Sequence, residues 1–288
     1  RHTRCSRDWS SDVCSTDLIG DRPAAGLGPT DFRLTDNGVA QTVDVDVVEA
    51  MPIDVSLVLD ASESVRGALL DRLKAAVTDT ARALTPRDRL RLIAVQHQVR
   101  RVIDWQPGGK APDLSGLAGQ GSTALYDGLA VGLLREPIPD RRHLVIVFSD
   151  GFDTSSILPR DAIVTLTGAT DTVLHAVVAV EDLQAFRGST RTSDGRGFQR
   201  GITGADEQFL PGVRALAELT ARTGGRAFPV DAKEPLGAAF TNTLRAFRAS
   251  YVLRFTPSGV APDGWHTLTV TVARPGKYEV RARAGYAR

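Results

Sequence analysis

The chain has 288 residues, with 35 Lys and Arg against 34 Asp and Glu, a formal net charge of +1. Balanced charge gives no electrostatic case for binding nucleic acid or an anionic membrane, and no apolar run reaches the roughly 18–20 residues that span a bilayer. The 42% apolar and 24% charged content is that of an ordinary globular protein, long enough for one large domain or a domain with a smaller companion.

Both cysteines, Cys5 and Cys14, lie near the start of the sequence, so the rest holds no disulfide and no thiolate metal site. "RCSRDWSSDVCSTDL" (Arg4 to Leu18) has no apolar period, no initiator Met and no signal-peptide apolar core. It resembles translated sequencing-adapter read-through, so residues 1–18 are expected to be disordered and outside the fold. A Cys5–Cys14 disulfide or metal pair is the alternative. On this reading the true N-terminus is missing, and a signal peptide ahead of the fragment stays open.

Residues 19–50 form a first segment, in which "FRLTDNGVAQTVDVDVVEA" predicts a β-hairpin. Asn37-Gly38 is its turn signal, and alternation runs on through Val43, Val45 and Val47. A second segment, 51–249, alternates long apolar strands with amphipathic helices. Val55–Leu59 reads as a strand covered on both faces. Leu69, Leu73, Val77 and Leu84 share a helical face that Pro86 ends. Leu90–Val95 and Val99–Ile103 are strand candidates, and Leu125, Leu129 and Leu133 mark a helix. "HLVIVF" (His143–Phe148) and "TVLHAVVAV" (Thr172–Val180) are core strands, with a helix predicted at Ala162–Leu166 between them. Val213, Leu216 and Thr220 form a helix face closed by Gly224-Gly225, before a short strand Arg226–Val230. Leu236, Phe240, Leu244 and Phe247 line the last helix. The fold class is α/β, a doubly wound and mainly parallel sheet with helices on both faces. In the third segment, 250–288, Tyr251–Phe255, Thr267–Val272 and Tyr278–Ala284 alternate with period two. They predict antiparallel strands, and the two ends are expected to combine into one small β module.

The strand Val55–Leu59 runs into "DASES", which places Asp60, Ser62 and Ser64 at every second position of a strand-to-helix loop. "GSTALYDG" puts Thr123 at the start of a helix, and "VFSDG" puts Asp150 just after a core strand. In a parallel sheet these loops share one edge, where open α/β sheets bind ligands. Two carboxylates and three hydroxyls, with no imidazole or thiolate, suit Mg²⁺, Mn²⁺ or Ca²⁺ rather than zinc. Each piece has an ordinary alternative: Ser62 or Thr123 as a helix cap, Asp150-Gly151 as a turn.

Together the five residues resemble the metal-ion-dependent adhesion site of von Willebrand factor type A domains, with its Asp-x-Ser-x-Ser, later Thr and later Asp. The resemblance covers roughly Pro52 to Ser250. Its flanks are similar to a bacterial subfamily with a "DNGVAQ"-like hairpin before the domain and a "SYVLRF…GWHTLTVTV…VRARAGY"-like ending. It implies that Ser62, Ser64 and Thr123 coordinate the ion directly, with Asp60 and Asp150 often acting through water. It implies too a position left for an Asp or Glu of a protein partner, and a secreted or periplasmic setting. A metal-free scaffold domain in a cell-envelope assembly is the alternative.

Rival chemistry is thin. "DVDVV" (Asp44–Val48) matches an aspartyl-phosphate string but sits in a half-exposed hairpin. No Gly-x-Ser-x-Gly elbow, Gly-rich phosphate loop or His-Glu-x-x-His occurs, so no enzyme is expected. His175 reads as a hydrogen-bonded core residue, and His97 and His143 show no acidic or Ser partner at a telling spacing. Trp105 and Trp265 read as packing residues. The polar insertion 181–208, with Arg187, Arg191, Arg196 and Arg200, would emerge beside Asp60 and Asp150 and is expected to set partner specificity.

Overall fold

The computed structural model describes residues 9–17, 22–23, 26–135, 138–180, 210–231, 233, 235–276 and 278–288. Strands β1 (Trp9–Asp17), β2 (Arg22–Pro23), β3 (Phe32–Asp36), β4 (Val39–Gln41) and β5 (Asp44–Val47) come first. Then follow β6 (Ile53–Asp60), α1 (Ala68–Ala83), β7 (Arg89–Val95), β8 (Val99–Pro107), α2 (Leu125–Leu133) and β9 (Arg142–Ser149). The alternation continues with α3 (Arg160–Ala169), β10 (Val173–Val180), α4 (Leu210–Arg222), β11 (Ala227–Asp231) and α5 (Gly237–Arg248). Strands β12 (Tyr251–Phe255), β13 (Trp265–Val272), β14 (Tyr278–Ala282) and β15 (Gly285–Ala287) close the chain.

The central sheet has the order β11-β10-β9-β6-β7-β8. All neighbours are parallel except β8, which runs antiparallel to β7 because the short turn after β7 leaves no room for a crossover. Every residue of β6 and β9 is buried, as expected of strands covered on both faces. Their side chains alternate between two apolar clusters. Val55, Leu57 and Leu59 pack with Leu73 and Val77 of α1 and with Phe240 and Leu244 of α5. Val58, Val145 and Val147 pack with Leu129, Ile163 and Leu216 from α2, α3 and α4. Helix α2 lies unusually close to the sheet. A Cβ at Gly128 would stand 2.2 Å from Val95 Cγ2, and one at Gly132 would stand 2.7 Å from Val58 Cγ2.

The two ends do combine. Sheets β15-β13-β3-β4 and β14-β1-β12-β5 enclose one core that includes Phe32, Leu34, Leu253, Phe255, Val270 and Tyr286. The predicted hairpin is present as β3–β4, with positive φ at Asn37 and Gly38. It ends at Gln41, however. The alternating stretch through Val45 and Val47 crosses to the other sheet and pairs with β12.

The expectation that residues 1–18 are disordered is not met along Trp9–Asp17. Strand β1 runs antiparallel to both β12 and β14, between two edges that would otherwise be open. Backbone pairing needs no apolar period, so the sequence pattern carries no sign of it. The module docks on the sheet domain through Trp265, whose ring faces Gly168 and takes the Arg222 guanidinium at 5.2 Å. Arg283 adds a 2.8 Å bond to Thr170 O.

Two buried histidines report on the core. His175 accepts a hydrogen bond from Arg226 N at 3.1 Å and stacks on Phe228. His143 has a serine partner that no sequence spacing signals: Nε2 is 2.7 Å from Ser56 Oγ, and Nδ1 is 2.8 Å from Thr172 Oγ1. The partners lie 87 and 29 residues away in sequence and meet only through the strand register. Burial lowers His175 to about 4, with Arg281 and Arg226 adding to the depression against the bond from Arg226 N. Burial, then Arg135 and Arg91, hold His143 well below the ordinary imidazole range. In the unfolded chain both take up a proton near pH 6.5, but the folded core resists until a lower pH. The unfolded state then binds more protons, so acid costs stability. The melting temperature is expected to fall as pH drops from about 6.5 to about 4, with a shallower slope in His175→Leu. Equal slopes in thermal melts across that range would contradict the account.

Candidate metal centre

Strand β6 ends at Asp60, whose side chain is only 1% exposed. Ser62 N donates to its Oδ1 at 2.9 Å, and Ser149 Oγ, from the neighbouring end of β9, donates to its Oδ2 at 3.2 Å. Ser62 Oγ and Ser64 Oγ stand 3.0 Å apart. Neither hydroxyl-bearing loop is used to cap its helix. Helix α1 begins eight residues after Asp60, with Gly67 as its N-cap, and α2 is preceded by Ala124; neither start has a side-chain capping bond. The capping alternatives for Ser62 and Thr123 therefore fall. The turn alternative for Asp150 holds in part, since Asp150 Oδ1 accepts Phe152 N at 3.0 Å. Gly151 has φ of +89° and its backbone packs on Gly212, so no side chain fits there.

Three loops are sewn together at this edge. Glu63 N donates to Gly121 O at 2.9 Å, and Gln120 N donates to Ala61 O at 2.8 Å. Thr123 N donates to Thr154 Oγ1, and Thr154 N returns a bond to Thr123 O, both at 2.9 Å. The loop carrying Thr123 thus bonds to the loop of Asp60, Ser62 and Ser64 on one side and to the loop following Asp150 on the other. The crevice between β6 and β9 is also where the sheet order reverses, with β7 on one side of β6 and β9 on the other. All five residues singled out by sequence come to this edge.

Burial raises the pKa of Asp60, and the nearby charge of Asp150 raises it further, against the hydrogen bonds from Ser62 and Ser149 that lower it. Among the described residues no group of three or more His, Cys, Asp or Glu could hold a metal ion. A cation at this edge would therefore rest on the mixed set of two carboxylates and three hydroxyls. Sequence reasoning missed two supporting residues. Ser149 was inside the quoted "VFSDG" but was given no role. Gln96 carried a signal in being a polar residue directly after an apolar strand. The insertion 181–208, expected to set specificity, lies outside the described residues.

Residues 55–152 match the family model of the von Willebrand factor type A domain. That span runs from β6 to just past Gly151 and contains all five site residues, and over it the chain is similar to von Willebrand factor type A domains. An uncharacterized protein of Synechocystis sp. is 30% identical over 140 residues, covering 46% of this chain and 33% of its own. The chain thus spans about a third of the length of that relative. Among solved structures, a von Willebrand factor type A protein from Catenulispora acidiphila is 12% identical, with a TM-score of 0.48, over 98% of this chain and 75% of its own. The ArnB paralog VWA2 from Sulfolobus acidocaldarius is 10% identical, with a TM-score of 0.49, over 95% and 75%.

A raised carboxylate pKa means that, between the unfolded and folded values, the folded state binds more protons; stability then falls as pH rises. In chelator at neutral pH, Asp60→Asn is expected to melt above the parent protein, because it keeps a group able to bond Ser62 N and Ser149 Oγ without the buried charge. The gap should close on acidification. A variant that melts lower at neutral pH would show that the ionised carboxylate stabilises the empty site.

Proposed function

We propose that this domain is a metal-dependent protein-binding module that captures an acidic side chain of its partner. The observation that carries the reading is the buried Asp60 carboxylate beside Asp150, ringed by the hydroxyl loop of Ser62 and Ser64. Two carboxylates forced together without compensation repel each other, and a divalent cation between them removes that cost. Ser62, Ser64 and Thr123 would hold the ion directly, with Asp60 and Asp150 acting through water. Oxygen donors of this kind suit Mg²⁺, Mn²⁺ or Ca²⁺. Neutral hydroxyl ligands leave the ion electron-poor, so it still attracts an Asp or Glu from outside. The role is binding rather than catalysis, in a secreted or periplasmic setting.

One observation favours a metal-free scaffold instead. Both oxygens of Asp60 already accept hydrogen bonds within the protein, and Asp150 is engaged by Phe152 N. Cation titration separates the two readings. A divalent ion at about a hundred times its dissociation constant adds roughly 2.7 kcal/mol. For a domain of this size that raises the melting temperature by about 5–10 °C. Mg²⁺ or Mn²⁺ is expected to produce that rise over chelator, and Asp150→Ala to abolish it while leaving a folded protein. Identical melting temperatures in chelator and in millimolar Mg²⁺ and Mn²⁺ would leave the scaffold reading standing. A partner retained from extract in Mg²⁺ should be released by chelator.

A further inference from the structure

Gln96 follows the last residue of β7 and is 2% exposed. Its side-chain amide donates two hydrogen bonds, to Ala61 O at 3.2 Å and to Ala118 O at 2.6 Å. Its main-chain carbonyl accepts Ala124 N at 2.9 Å. Ala61 lies between Asp60 and Ser62, Ala118 in the loop leading to Thr123, and Ala124 directly after Thr123. One side chain and its own carbonyl thereby hold the two hydroxyl-bearing loops at a fixed separation.

The orientation of the amide follows from chemistry. Two carbonyl oxygens on one side can be met only by the NH₂ group, so Oε1 faces the other way. There it is buried and finds no hydrogen-bond partner among the described residues. An acceptor stranded in this way is costly. A Leu or Met of similar size would avoid the cost and would fill the space, but would leave Ala61 and Ala118 unjoined. What glutamine supplies here is the bridge.

We infer that Gln96 is a positioning residue for the cation site: it presets the spacing between Ser62 and Ser64 on one loop and Thr123 on the other. The inference rests on the metal-dependent reading above. Without the bridge, the ion would have to draw the loops together at the moment of binding, and affinity would fall by that ordering cost.

The test is Mn²⁺ binding by calorimetry, beside thermal melts in chelator, for the parent protein, Gln96→Met and Gln96→Glu. Gln96→Met keeps the length of the side chain and removes both donors. It is expected to weaken Mn²⁺ about 10- to 100-fold, the range for residues that support metal ligands. Leu268→Ala, which destabilises the β module far from the site, should leave Mn²⁺ affinity unchanged, so that lost stability alone cannot mimic the effect. Should Gln96→Met fail to fold, Gln96→Glu carries the test. Its carboxylate would face two carbonyl oxygens when ionised, whereas the protonated acid restores one donor. Its deficit relative to the parent protein, measured at the same pH, should therefore shrink on acidification. Unchanged Mn²⁺ affinity in Gln96→Met, with only a lower melting temperature, makes Gln96 purely structural and overturns the inference. A deficit in Gln96→Glu that ignores pH does the same. If the parent protein itself binds no Mn²⁺, the metal-dependent reading fails first and takes this inference with it.

Discussion

A negative charge buried at the end of the central strand is the constraint around which the rest is arranged. Removing a carboxylate from water is expensive unless its oxygens are bonded. Here the compensation comes from two directions, Ser62 N from the following loop and Ser149 Oγ from the adjacent strand. That pair of bonds is possible only because β6 and β9 are neighbours in register, with Leu59 opposite Phe148. The loop after β6 also turns back on its own strand end through Ser62 N, and α1 begins only at Ala68. Strand order and the path of the loop both bear on one carboxylate.

Much of this was legible in the residues themselves. Continuous apolar runs at Val55–Leu59, His143–Phe148 and Thr172–Val180 announced strands covered on both faces, and helical spacing placed the helices that cover them. Asp60, Ser62, Ser64, Thr123 and Asp150 were found because each follows a strand or precedes a helix at the ligand-binding edge of a parallel sheet. Periodicity reports which face of an element is buried, but not which element lies against it. It could not show that β5 leaves the hairpin for β12, or that Ser56 meets His143 across 87 residues. Nor could it show the carboxylate of Asp54, fully buried and bonded by Arg89, Arg135 and Arg141. Those arginines are scattered through three loops and strands, and only the fold gathers them.

The β module solves a separate problem. Its two sheets draw strands from both ends of the chain, so neither end folds into it alone. Its core also hides a polar cluster: His266 Nδ1 lies 2.8 Å from Asp36 Oδ1, and Tyr286 Oη donates to Asp36 Oδ2 at 2.7 Å. Burial, with Asp36 beside it, raises the pKa of the Tyr286 hydroxyl and keeps it a donor. The bonds that Asp36 accepts form only when β3, β13 and β15 pair in one register, so they favour that register over slipped alternatives. The sheet domain is then fastened to a partner of fixed shape through Trp265 and Arg283.

The path of the chain between these two bodies gives the molecule a direction. Strand β6 leaves the module at Ile53 and reaches Asp60 at its far end, while α5 returns to the near edge and re-enters the module at Tyr251. Both covalent links therefore leave from the edge opposite the crevice. Tension applied between that crevice and the module would run along β6. The ladders joining it to β7 and β9 would be loaded in shear, with many hydrogen bonds resisting together rather than parting one at a time. The strand that presents Asp60 is thus held along its length by a parallel ladder on each side.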